Sequence, residues 1–165
     1  MDTHLYSCFY KTLLFISYLG PSTYIELDHG NDAHKLMSPG YPCGYPLNVD
    51  RLWIITGLPQ HIVVIYILDF KLTGPDGSYF DDFFDYVTFG RGQSTAVESS
   101  VIAEITATSK IRSVTSYSPA MWIRLKTHLT SVPERGFYFE ITQFLNHSGN
   151  AECHENDILN QQQTI

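Results

Sequence analysis

A chain of 165 residues is long enough for one domain with its own core, and a formal net charge of −7 leaves nothing to grip a phosphate backbone, so nucleic acid is not an expected partner. Hydrophobic residues at 44% and aromatics at 14% exclude a disordered chain. Charged residues at only 16% exclude a coiled coil or long solvated helices.

The first segment to interpret is Leu13-Leu14-Phe15-Ile16-Ser17-Tyr18-Leu19, preceded by Lys11 and followed by Gly20-Pro21-Ser22. A short apolar run ending in small residues reads as a secretory leader over residues 1–22, with cleavage after Ser22. The same run also reads as an additional N-terminal strand. No apolar stretch reaches the ~18 residues that a spanning helix needs. The cysteines are Cys8, Cys43 and Cys153. Removing a leader leaves Cys43 and Cys153, an even count that suits a disulfide, while free thiols or an intermolecular bridge are the alternatives.

Tyr24, Ile25 and Leu27 suffice for a short edge strand. Residues 38–46 then hold three prolines and two glycines, and proline cannot donate to a ladder, so this stretch is an ordered loop. Leu52-Trp53-Ile54-Ile55 forms a strand stopped by Gly57 and Pro59. From His61 to Leu72, Val63, Ile65 and Ile67 alternate with Val64 and Tyr66, and both faces are apolar enough for a central strand. Gly74-Pro75 and Asp76-Gly77 mark a turn before the strand Tyr86-Val87-Thr88-Phe89. Between residues 93 and 110, Ser/Thr content and β-branching favour extended structure over helix. Met121-Trp122-Ile123-Arg124-Leu125 and Gly136-Phe137-Tyr138-Phe139-Glu140-Ile141 alternate again. Short strands separated by Pro/Gly turns predict an all-β fold, an antiparallel two-sheet sandwich over residues 24–143, with a flexible tail over residues 144–165.

Several of these pieces recur in a fixed order. Ser38-Pro39-Gly40-Tyr41-Pro42, Tyr45-Pro46, Trp53 with Ile55, the Val63-x-Ile65-x-Ile67-x-x-Phe70-x-Leu72 strand, and Asp85-x-Val87-x-Phe89-x-x-Gly92 together resemble the CUB domain. That family's members are extracellular β-sandwich modules of jelly-roll type that bind other molecules. The resemblance departs at the staples. Many CUB domains carry disulfides at positions that here are Arg51 and Phe83 or Phe84, so this chain would depend on its core.

Some CUB domains bind calcium, and the resemblance can be followed residue by residue. Tyr45 matches the site tyrosine and Asp85 the central aspartate, but Thr73 stands where a glutamate is expected and His128 where an aspartate is expected. Calcium takes six to eight oxygen ligands, which a histidine nitrogen cannot supply. Asp76, Asp81 and Asp82, in the turn before Asp85, are the candidates to replace the missing oxygens. The same acids also read as solvated loop residues, with Asp85 stabilising a turn. No other cofactor is expected.

No Gly-x-Ser-x-Gly or His-Glu-x-x-His pattern appears, and no enzymatic activity is expected. His147, Cys153 and His154 lack the paired spacing of a zinc site. Asn146-His147-Ser148 is an N-glycosylation acceptor triplet, meaningful if the chain is exported. Trp53, Trp122, Phe137 and Phe139 sit at alternate strand positions beside aliphatics and read as core rather than as a stacking surface.

The resemblance thus implies a secreted, non-catalytic module that binds an extracellular protein or glycan. Residues 39–48 and 73–85 form the candidate binding loops, since loops on a rigid sandwich can vary without disturbing its core. The alternative is a spermadhesin-like carbohydrate-binding lectin, which an exposed aromatic patch on one sheet face would favour.

Overall fold

The computed structural model describes residues 22–28, 33–74, 84–94, 100–129 and 131–146. Among them run β1 (Thr23–Glu26), β2 (His34–Met37), β3 (Asp50–Thr56), β4 (His61–Lys71), β5 (Tyr86–Arg91), β6 (Val101–Ile105), β7 (Ser113–Thr115), β8 (Ala120–Lys126) and β9 (Gly136–Leu145). One sheet has the order β1-β3-β8-β5-β6, the other β2-β9-β4-β7. All neighbours are antiparallel except β1, which runs parallel to β3 with Thr23 opposite Trp53.

Two-residue periodicity explains why two layers form. Val63, Ile65 and Ile67 of β4 and Phe137, Phe139 and Ile141 of β9 turn the same way, toward Trp53 and Ile55 of β3, Val87 and Phe89 of β5, and Ile123 and Leu125 of β8. All are buried. Phe137 and Phe139 stack at 4.1 Å between ring centroids, and Trp53 meets Phe137 edge-on at 5.8 Å. Each such side chain contributes roughly 1.5–3 kcal/mol by leaving water, which is how a sandwich of this size can hold without the family's staples.

At Arg51, one of those staple positions, the guanidinium donates a hydrogen bond to the Thr23 hydroxyl and lies 6.0 Å from the centre of the Trp53 ring. A polar link between β3 and β1 therefore stands beside their parallel ladder. On β8, Arg124 makes two hydrogen bonds to Asp50, at 2.6 and 2.5 Å. That pairing holds the Asp50 carboxyl below its usual range.

Two details depart from the pattern read along the chain. The outward face of β4 is only partly covered: Val64 is buried, but Tyr66 is 39% and Leu68 51% exposed. The neighbour on that side, β7, has three residues and pairs no further than Tyr66. Phe144 and Leu145, assigned by sequence to the tail, complete β9 opposite Ile62 and His61.

Trp122 is also buried, yet it lies on the face of its sheet turned away from the sandwich core, alternating with Met121 and Ile123. Its ring covers Gly90 on the neighbouring strand, and its Nε1–H donates to the Ser100 hydroxyl at 3.3 Å. A Cβ at position 90 would run into the indole. Gly90→Ala is therefore expected to cost about 1–3 kcal/mol, read as a lower urea midpoint with an unchanged slope. An unaltered midpoint would show that Trp122 is not pinned there.

Candidate functional site

Three loop segments meet at one end of the sandwich, where β5 starts and β8 finishes. The first, residues 38–49, is a chain of turns because its prolines leave no continuous ladder. It is fixed by bonds from Tyr41 N–H to Ser38 O at 3.1 Å and from Cys43 N–H to Gly40 O at 2.8 Å. Ser38 anchors its start, its hydroxyl accepting from Phe137 N–H at 3.0 Å. The segment after β8 closes against it: Tyr45 N–H donates to Glu134 O at 3.2 Å and Thr127 N–H to Val49 O at 2.9 Å. The buried Thr127 hydroxyl receives Val49 N–H at 2.8 Å and donates to Pro46 O at 3.0 Å.

Asp85 lies beneath this crossing with no exposed surface. Its Oδ1 accepts the backbone N–H of His128 and the hydroxyl of Ser131, both at 2.7 Å. Its Oδ2 accepts the Tyr45 hydroxyl, also at 2.7 Å. The Tyr45 oxygen in turn accepts Thr73 N–H at 2.8 Å, and the Thr73 hydroxyl, 3.0 Å from it, donates to the Val132 carbonyl. Asp85 N–H donates back to Thr73 O at 3.3 Å. Four segments of the chain thus share one carboxylate and one phenol. Burial, with the neighbouring Asp85 adding to it, pushes the Tyr45 hydroxyl up to about 12 despite the opposing bonds from Thr73.

A second polar group flanks the first. Arg135 clamps Asp69 through two bonds of 2.6 and 2.5 Å, and the Tyr41 hydroxyl donates to the same carboxylate at 3.0 Å. The Arg135 bonds hold the Asp69 carboxyl below its usual range. Above these polar ties, Leu129 and Val132 are 70% and 73% exposed.

The structure brings Tyr45 and Asp85 into contact, while Asp76, Asp81 and Asp82 lie outside the described residues. Cys43 is exposed on the first loop; Cys153 is outside the described residues. Asn146 is exposed just after β9, with its N–H bonded to Gln60 O at 2.7 Å, and the rest of its triplet is not described. Trp53, Phe137 and Phe139 are buried in the core, as their strand positions suggested, whereas Trp122 is buried on the opposite face of its sheet. Sequence reasoning missed Ser131 and Thr127, lone hydroxyls in a segment without periodicity. It also missed the His128 contribution, which comes from the backbone and leaves no mark in residue type.

These residues fit a calcium site poorly. Two positions that the resemblance assigns to carboxylates hold Thr73 and His128, and both contribute N–H donors aimed at Tyr45 and Asp85. Among the described residues no group of three or more His, Cys, Asp or Glu could hold a metal ion.

The family model of the CUB domain matches residues 27–140. This chain belongs to the CUB domain family. Among solved structures, the extracellular region of zebrafish Gpr126/Adgrg6 shares 23% identity, with a TM-score of 0.59, over 75% of this chain and 15% of that one. The CUB1-EGF-CUB2 domain of human MASP-1/3 shares 15% identity, with a TM-score of 0.59, over 74% and 41% of the two chains. The MASP-1 CUB2 domain bound to Ca2+ shares 16% identity, with a TM-score of 0.57, over 73% and 96%. The chain thus spans less than half of each of the first two structures, and at these identities the likeness is one of fold. Comparison with curated proteins finds no match.

A raised tyrosine pKa sets the sign of an alkaline effect. The folded CUB domain favours neutral Tyr45, so its contribution is complete below about pH 10 and fades as the pH climbs toward 12. Tyr45→Phe leaves Asp85 and Thr73 N–H each short of a partner, at a cost of about 1–3 kcal/mol at neutral pH. The gap between wild-type and Tyr45→Phe urea midpoints should narrow across pH 10–12. A gap that stays constant over that range would contradict the assignment.

Proposed function

We propose that this CUB domain is a non-catalytic extracellular module that docks a partner protein through the loop end gathered around Asp85. The observation that carries this reading is the pairing of a rigid base with an apolar crest. Leu129 and Val132 stand in solvent on a segment whose backbone is tied to the buried carboxylate at His128 and by the Ser131 side chain. Two exposed aliphatics on a preorganised loop lose little freedom on binding, which is what makes a small apolar anchor effective. The side chains of Tyr45, Asp85 and Ser131 are buried and bonded to one another, which suits a structural centre better than acid–base work on a substrate.

Export fits the same reading. The family's modules act outside the cell, the apolar run before residue 22 reads as a leader, and Asn146 is exposed where a glycan could be attached. Among the described residues no helix is long and apolar enough to cross a membrane.

A second reading, glycan binding of the spermadhesin type, draws support from one place. Tyr66 and Phe144 are exposed on the four-stranded sheet, although the large core aromatics are not available for stacking.

Capture from extracellular fluid with the purified chain separates the two. Leu129→Asp with Val132→Asp should abolish retention of a protein partner at unchanged thermal stability, and Tyr66→Ser should leave it intact. Loss with Tyr66→Ser, together with competition by free oligosaccharide, would overturn the protein-docking reading in favour of the glycan one.

A further inference from the structure

We propose that the Asp85 centre of this CUB domain is held by the chain's own hydrogen-bond donors in place of a cation, so that the loop end is assembled whether or not calcium is present. A carboxylate offers about four lone-pair directions. Three are filled here, by His128 N–H, Ser131 O–H and Tyr45 O–H, each at 2.7 Å. The positive ends of those bonds point at the oxygens a cation would need. Tyr45 likewise already accepts from Thr73 N–H.

The two departures from the family's ligand set form one replacement. Thr73 sends its hydroxyl to Val132 O and its N–H to Tyr45, and the His128 segment sends its N–H and the Ser131 hydroxyl to Asp85. A divalent ion would tie the same segments through oxygen ligands at ~2.3–2.6 Å. Protons do so here without an ion's demand for six to eight ligands. Among the described residues the buried side-chain nitrogens and oxygens all have partners, so no orphaned atom waits for a ligand. If the proposed docking role holds, recognition by this end would also persist in chelator. The stability test below does not depend on that role.

Thermal unfolding of the full chain should give the same midpoint in chelator and in millimolar calcium. Ser131→Ala and Asp85→Ala should each lower it equally in both. Should Asp85→Ala not fold, Asp85→Asn serves. Its amide oxygen still accepts from His128 and Ser131 while its NH2 donates to Tyr45, so it should keep most of the wild-type midpoint. Terbium added alone should show no tyrosine-sensitised emission beyond that of Tyr45→Phe. The proposal is overturned if saturating calcium raises the wild-type midpoint by about 5–10 °C and Asp85→Asn, or joint replacement of Asp76, Asp81 and Asp82 by Asn, removes the rise.

Discussion

The carboxylate of Asp85 has no exposed surface, and a group of that kind is tolerated inside a protein only when its oxygens are matched by donors. Here the donors come from sequence positions 45, 128 and 131, so the requirement to satisfy one buried acid forces distant loops into one arrangement. Thr73 extends the demand by one step, because Tyr45 can donate to Asp85 while it accepts from Thr73 N–H. The geometry of the loop end follows from this single desolvation constraint.

The sandwich makes that constraint workable. Asp85 immediately precedes β5, whose inward residues Val87 and Phe89 are fully buried, so the strand fixes where the carboxylate begins. Leu125 of β8 does the same for Thr127 and His128. Apolar packing sets the positions of the strand ends to within side-chain dimensions, and hydrogen bonds then fix the loops that leave them. Neither layer suffices alone. Packing gives loops no unique path, and a polar network without a rigid frame would be solvated rather than buried.

The legible parts of the sequence were those with a period. Val63, Ile65 and Ile67 announced β4, and Phe137, Phe139 and Ile141 announced β9, because alternation is a direct imprint of one covered sheet face. The parallel pairing of β1 was not legible, since a four-residue edge strand carries no signal of direction. Tyr45 and Asp85 were identified through the family resemblance alone, with no pattern of their own around them. Thr73 and His128 read as losses from a ligand set. Their gain was invisible in sequence because it lies in backbone N–H groups, which every residue but proline possesses. Ser131 was hidden for a related reason: one serine among several in loops means something only after folding brings it to Asp85. The contact of Gly90 with Trp122 likewise spans two strands and leaves no local trace.

Hydrogen exchange at a single amide tests this account most directly. His128 lies beyond the last residue of β8 and its N–H donates to Asp85 Oδ1 at 2.7 Å, so its protection reports on that bond. In chelator, the His128 amide should exchange as slowly as amides in the middle of β8, and should become fast in Asp85→Ala while the β8 amides remain protected. Exchange at the rate of an open loop in the wild-type chain, slowed only by adding calcium, would contradict the claim that the buried carboxylate is satisfied by the protein itself.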